Sequence, residues 1–116
     1  MGAAPAGWTV TFCGCEQTEE DCDAAQFEVA FPHGAAQTVE VRTTAQIEHI
    51  LARELGTEAL GAPEREAVLS VAGRQLIEES LAEQGAVGPL LFLDSRLFRV
   101  PGAERRLLEK CGLLPT

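Results

Sequence analysis

The sequence predicts an α+β domain in which a mixed sheet packs against one helix. Three observations predict it: segments with alternating apolar and polar residues, one capped segment with apolar residues at helical spacing, and an apolar run between turn residues. The length of 116 residues allows one ordinary domain, and 46% apolar residues are typical of a chain that folds.

The first half of the chain is predicted to contain three strands, at residues 8–12, 27–31 and 38–42. Large apolar side chains alternate there with polar or small ones, which is the pattern of a half-buried strand. The stretch at 14–25 is predicted to be an acidic loop. Residues 32–34, Pro-His-Gly, have turn chemistry, so the second and third strands are expected to form a hairpin.

A helix is predicted directly after this hairpin. Thr43 and Gln46 have the spacing of a capping box, which satisfies the free amides of a helix start. Gly56 is a natural helix stop. The apolar residues between these signals recur at helical spacing on one face: Ile47, Ile50, Leu51 and Leu55.

The second half is predicted to return to strands. An apolar run at 67–71 is expected to be a strand, followed by a turn at 72–74 and a short strand extension at 75–77. A single helical turn is expected at 80–84, and a last strand at 90–93.

This order of elements is that of the β-grasp fold, in which the helix covers one face of a mixed sheet and the last strand returns beside the first. The expected organisation has an N-terminal strand and acidic, cysteine-containing loop at 1–25. A β-grasp domain at 26–100 and a C-terminal extension at 101–116 follow, with a short helix at 101–110.

Two motifs in the second half have a recognisable order. Residues 68–76 read VLSVAGRQL, similar to ubiquitin's strand, its Ala-Gly turn, a basic residue and then Gln-Leu. Residues 80–87 read SLAEQGAV, similar to the segment before ubiquitin's last strand. With the helix at 44–55, they make residues 27–93 resemble the ubiquitin-like superfamily.

The resemblance implies a non-conjugating member of that superfamily. Conjugated members end in a mobile tail that closes with Gly-Gly, whose carboxylate is activated. Here Gly102 stands alone and is followed by fourteen further residues. A ubiquitin-like modifier or sulfur-carrier protein therefore remains only as an alternative.

The resemblance also implies where a partner would bind, because ubiquitin is recognised mainly through an apolar patch on the outer side of its sheet. The residues expected to bind protein are Val68, Ser70, Gly73, Leu91 and Leu93. Either Val68, Leu91 and Leu93 form an exposed contact surface around Ser70, or the first strand or the terminal helix covers them.

Three of the four cysteines, Cys13, Cys15 and Cys22, lie within ten positions, and Cys111 lies far away. No export signal is recognised, so the expected location is cytoplasmic or nuclear, where disulfides are not expected. The three clustered cysteines are weak candidates for metal ligands, because one residue separates Cys13 from Cys15 where zinc sites usually have two to four. Neither a metal nor another cofactor is expected.

The net charge of -9 limits the partners, and over half of it comes from residues 1–26, which contain five acids and no base. Nucleic acid is not expected as a partner, because phosphate binding needs clustered Lys and Arg. No membrane helix is expected, because no apolar run approaches 18 residues. The acidic segment is expected to be a solvated loop, with a patch for a basic partner as the alternative.

The sequence offers little for catalysis. His33 lies at a turn and His49 on the predicted helix, and neither stands in a recognisable nucleophile arrangement. The predicted function is therefore that of a non-catalytic, ubiquitin-like protein–protein interaction module or adaptor, with a protein partner from the ubiquitin pathway as one option and the oligomeric state left open. A further alternative is a β-grasp accessory subunit of a multicomponent enzyme.

Overall fold

A four-stranded sheet with helices against one of its faces forms the framework of the protein. The computed structural model describes residues 7–18 and 21–115, with side chains except at 16–18, 21–23 and 95. In chain order the described elements are β1 (Thr9–Thr18), β2 (Asp21–Ala30), β3 (Gln37–Arg42), α1 (Ala45–Leu55), α2 (Ala62–Gln84), β4 (Leu90–Phe92), a 3₁₀ helix (Ser95–Phe98) and α3 (Ala103–Lys110). The predicted α+β class with a mixed sheet is confirmed.

The strands lie in the order β1-β2-β3-β4. β1 and β2 are antiparallel, β2 and β3 are antiparallel, and β4 runs parallel to β3. The predicted hairpin of the second and third strands is thus confirmed. The expectation that the last strand lies beside the first is wrong, because α1 and α2 carry the chain across the sheet to the outer side of β3.

The acidic loop predicted at 14–25 is wrong, because β1 and β2 continue through it as a long hairpin. Their ladder is irregular between Phe12 and Gly14, where Gly14 adopts a φ of 117° that L side chains rarely adopt. The expected domain boundary after residue 25 falls within β2. All five acidic side chains of this segment lie outside the described ones: Glu16, Glu19, Glu20, Asp21 and Asp23.

Helix α1 forms where it was predicted, with its cap shifted by one residue. The Oγ1 atom of Thr44, not of Thr43, accepts a hydrogen bond from the backbone amide of Ile47 at 3.3 Å. Gly56 ends the helix in the left-handed conformation, as expected. Ile47 and Leu51 are buried, so the predicted apolar face points into the core.

The predictions for residues 67–84 are wrong, because this whole stretch lies in the 23-residue helix α2. Its buried residues recur at helical spacing on a broad face: Val68, Leu69, Ala72, Gly73, Leu76, Ile77 and Leu81. Pro63 stands in the first turn, where its missing amide is no loss, and Gly85 ends the helix in the left-handed conformation. Even this helix is not apolar enough to cross a membrane, and neither is any other in the described chain.

The C-terminal extension belongs to the same core as the sheet. The helix predicted at 101–110 is confirmed as α3, and its Leu107 and Leu108 are buried. Leu93, just after β4, is buried in the same apolar cluster as Val10 of β1. One core therefore spans the boundaries expected at residues 25 and 100.

Candidate functional site

The residues expected to form a protein-binding patch do not lie together on an open sheet face. Val68 and Gly73 are buried on α2, and Leu93 is buried after β4. Ser70 is half-buried on α2 and donates its hydroxyl to the carbonyl of Ala67 at 3.0 Å. Leu91 is half-buried and packs against the core. The expected exposed patch is therefore wrong: three of its residues lie on a helix, and two of its leucines face inward.

The cysteines lie on paired strands and near the C-terminus. Cys13 is exposed with a free thiol, whereas Cys15 is disulfide-bonded, so the expectation of no disulfides is wrong. The side chain of Cys22 lies outside the described ones. No group of three or more His, Cys, Asp or Glu that could hold a metal ion occurs among the described residues. Cys111 is half-buried against the carbonyl of Ala67, and burial raises the pKa of its thiol to about 11.

Strand β4 forms one edge of the sheet, and its backbone orientation follows from its bonds to β3. Pro89 accepts a hydrogen bond from the amide of Glu40 at 2.9 Å, and the amide of Leu93 donates to Arg42 at 2.8 Å. Backbone groups alternate in direction along a strand, so the N–H and C=O groups of Leu90 and Phe92 point away from β3. In the described chain no strand pairs with that edge.

The same two residues also present apolar side chains to solvent. Leu90 is 45% exposed and Phe92 49% exposed, and Val100 is the one other large apolar side chain that is exposed among the described residues. On the neighbouring strand, Glu40 lies beside Leu90 and Arg42 beside Phe92. Arg42 and Glu40 form an ion pair with 2.6 Å between Nε and Oε2, so the outer face of the sheet changes from charged side chains on β3 to apolar ones at its edge. We call Leu90 and Phe92, with their outward backbone groups, the β4 edge.

The β4 edge was not predicted, because the resemblance to ubiquitin implies the opposite assignment of the two faces of this strand. It places Leu91 and Leu93 outward, whereas they face the core and Leu90 and Phe92 face solvent. Every residue at 90–93 is apolar, so alternation could not decide the register.

A cleft lies on another part of the molecule, between the C-terminal half of α2, the 3₁₀ helix and α3, and encloses about 360 Å³. Its floor is apolar, with Leu76 and Leu107 buried and Leu97 half-buried. Val100 lies at the cleft and is 56% exposed. We call this cavity the α2–α3 cleft.

Charged residues of opposite sign line different walls of this cleft. Glu79 and Glu83 belong to α2, while Arg106 and Lys110 belong to α3, and Arg99 lies before α3. Each helical pair is four residues apart and therefore shares one helix face. None of these five side chains makes an ion pair within 4 Å in the described part of the chain.

Arg96, which also lines the cleft, is held differently. Its Nε atom donates to Asp94 at 3.0 Å, and its backbone amide donates to the same carboxylate at 2.9 Å, which caps the 3₁₀ helix. The hydrogen bond from the Arg96 side chain lowers the pKa of Asp94. The same bond raises the pKa of Arg96, and the negative charges of Glu79 and Glu83 raise that pKa further. The charges of the α2 wall are therefore partly balanced by Arg96.

Comparison of the chain with family models, with curated proteins and with solved structures found no significant match. The functional interpretation therefore rests on the geometry of the β4 edge and of the α2–α3 cleft.

Proposed function

We propose that this protein is a non-catalytic interaction module, or adaptor, that binds an extended segment of a partner protein as an additional strand on the β4 edge. The observation that carries the proposal is the coincidence of outward N–H and C=O groups with exposed apolar side chains at Leu90 and Phe92. An exposed edge strand of this kind is a template for pairing with another chain.

The chemistry of the edge indicates what the partner segment presents. A strand of three residues offers few main-chain hydrogen bonds, so side-chain contacts must supply much of the affinity. Side chains on one face of the added strand would pack beside Leu90 and Phe92, so alternate apolar residues are expected in the partner.

A relationship to the ubiquitin-like proteins has limited support. The β2–β3 hairpin, the helix α1 after it and the mixed sheet agree with a β-grasp arrangement. The best sequence match, at 68–76, lies within α2, and β4 pairs with β3 instead of with the first strand. A partner from the ubiquitin pathway has no observation in its favour. The proposal therefore rests on the β4 edge and not on the family resemblance.

The cytoplasmic or nuclear location stays a prediction from the sequence, and the disulfide at Cys15 is an observation against a reducing compartment. No specific observation favours a modifier, a sulfur carrier or an enzyme subunit as a second candidate function.

A proline substitution tests strand addition selectively. Because the amide of Phe92 points away from β3, Phe92→Pro removes one outward donor while leaving the β3–β4 bonds in place. Phe92→Val is the matched control, since it also removes the ring but keeps the amide. We expect peptides selected from a random display library to bind the unmodified protein. Phe92→Pro should weaken that binding about tenfold more than Phe92→Val, because it removes one hydrogen bond and leaves the partner's carbonyl unpaired.

Hydrogen exchange supplies an independent readout. Peptide binding should slow exchange of the Leu90 and Phe92 amides, while the exposed Val100→Lys variant should bind the same peptides normally. Equal binding by Phe92→Pro and Phe92→Val, or unchanged exchange at these amides, would contradict strand addition.

A further inference from the structure

We propose that the α2–α3 cleft binds a small amphipathic carboxylate, with the apolar body of the ligand on the leucine floor and its carboxylate toward Arg106 and Lys110. This site is separate from the β4 edge and goes beyond the interaction function proposed above. The two features that carry it are the apolar floor of the cleft and the uneven distribution of its charges.

The size and lining of the cavity fit a small molecule. A volume of about 360 Å³ lies within the usual range for ligand sites. Seven of the twelve lining residues are polar or charged, and the leucines form an apolar floor between them. Three elements form its walls. Val100 leaves apolar surface exposed there that an alkyl or aryl group would cover.

The charge of the cleft is the opposite of the charge of the chain. Its lining holds the single lysine and three of the eight arginines, against two carboxylates, a net charge of +2, or +1 when Asp94, the ion-pair partner of Arg96, is counted with it. The chain as a whole carries -9, so all remaining residues together carry -11. The lining therefore concentrates positive charge on a strongly acidic protein, which favours an anion at this position over other surface positions.

The two walls also orient that anion. Glu79 and Glu83 repel a carboxylate from the α2 wall, whereas Arg106 and Lys110 attract it to the α3 wall. Within the described chain neither cation has a carboxylate partner within 4 Å. The Nη1 atom of Arg106 donates to the carbonyl of Pro101 at 3.4 Å, which leaves the other donors of its guanidinium for a ligand. The nearest cation of the same helix that does have partners is Arg105, which pairs with Glu54 at 3.7 Å and Glu109 at 3.5 Å.

Decanoate, decanol and decylammonium, each below its aggregation concentration, are suitable probes because they share one alkyl chain and differ in charge. Binding to the full chain is followed by NMR chemical shifts. We expect decanoate to shift Leu97, Val100 and Leu107 and to bind about tenfold more tightly than decanol, the order expected of a charge-assisted hydrogen bond. Decylammonium should bind more weakly than either.

Variants identify the wall that carries the carboxylate. The double variant Arg106→Gln, Lys110→Gln should lower decanoate affinity about tenfold, whereas Arg105→Gln, the control on the same helix, should leave it unchanged. The proposal would be overturned by equal affinity for decanol and decanoate, by tighter binding of decylammonium, or by chemical-shift changes outside the cleft. The probe series uses the unmodified chain, so it tests the proposal even if the double variant fails to fold. Phe92→Pro should still bind decanoate, so failure of strand addition and failure of this proposal are distinguishable.

Discussion

The backbone of Gly73 in α2 lies directly against the ring of Phe27 in β2. A Cβ atom on Gly73 would come within 2.9 Å of the Cε1 atom of that ring and within 3.3 Å of Cγ1 of Val41. Phe27 and Val41 are fully buried, so neither side chain has free space into which it could move. The absence of a side chain at Gly73 therefore allows α2 to lie this close to the sheet.

The first prediction uses this close approach, through the substitution Gly73→Ala. Helix propensity alone would make alanine more stable in a helix interior by about 1 kcal/mol. The overlap with Phe27 should outweigh that gain and lower the free energy of unfolding by about 1–3 kcal/mol, as overpacking of a close-packed core does. Denaturant unfolding measures the sign directly.

The control for this prediction is Glu66→Ala, a substitution at an exposed position of the same helix. It should change the free energy of unfolding by less than about 0.5 kcal/mol. A Gly73→Ala protein that is more stable than the unmodified chain would mean that α2 does not approach the sheet so closely.

The part of the fold that sequence patterns predict well is the part with strong local signals. In β2 and β3, the alternation predicted strands with one apolar side, and the apolar residues Phe27, Val39 and Val41 are indeed buried. In α1, the polar cap and Gly56 marked both ends within one residue. These signals act over a few neighbouring residues, and so they are visible without knowledge of the rest of the chain.

Helix α2 was missed although its sequence contains a helical pattern. The run at 68–71 includes valines and alternates between Leu69 and Val71, so it fits a strand, and Gly73 within Ala-Gly-Arg fits a turn. The helical spacing becomes clear only over the seven buried positions from Val68 to Leu81 taken together. A glycine in mid-helix is explained only by the approach of Phe27, which is a tertiary contact that no local pattern contains.

The candidate sites could be predicted even less, for a related reason. The β4 edge depends on which side of β3 the last strand joins, and this is decided by the crossover through α1 and α2. The α2–α3 cleft brings together Glu79 and Arg106, which lie far apart in the sequence. The helix that carries Glu79 was predicted from the sequence to be mostly strand and turn. Surface sites of this kind follow from topology, and topology was the weakest part of the sequence interpretation.

The second prediction concerns the ion pair that joins α1 to α2. Arg65 donates to both carboxylate oxygens of Glu48, at 3.1 Å from Nε and 3.0 Å from Nη2, and the hydroxyl of Thr43 donates to the same carboxylate. The arginine side chain is 13% exposed, so solvent screens this pair less than an open surface pair. A double-mutant cycle with Glu48→Gln and Arg65→Met should give a coupling of about 1 kcal/mol, at the upper end of the range for exposed pairs.

The comparison for this cycle is the exposed pair of Arg105 and Glu54, whose atoms are 3.7 Å apart. The cycle with Arg105→Met and Glu54→Gln should give a coupling near zero, and any small coupling that remains should disappear at high salt. Equal coupling in the two cycles would show that the bidentate geometry of Arg65 adds nothing to the stability of the α1–α2 contact.

The third prediction concerns Cys111, whose thiol contacts the carbonyl of Ala67 in α2 from the end of α3. Burial raises the pKa of this thiol from 9.0 to about 11, because the charged thiolate is poorly solvated there. At pH 8 the thiolate fraction in the folded chain should thus be about one hundredth of that in the unfolded chain. Alkylation of Cys111 by iodoacetamide, followed by mass spectrometry without reductant, should be slowed by at least that factor on folding.

The same shift predicts how stability depends on pH. A folded-state pKa above the unfolded value means that the folded chain holds the proton more tightly, so the contribution of Cys111 is complete below pH 9 and is lost as the pH rises through about 11. Denaturant unfolding at pH 8 and pH 10.5 should therefore reveal a loss of stability that is smaller in Cys111→Ala. Exposed Cys13 serves as the internal control for alkylation, because it should react at similar rates in the folded and unfolded chains. Equal slowing of alkylation at Cys13 and Cys111 on folding would mean that burial of Cys111 at the α2–α3 contact does not protect its thiol. An equal loss of stability at alkaline pH in Cys111→Ala would mean that Cys111 does not cause that loss.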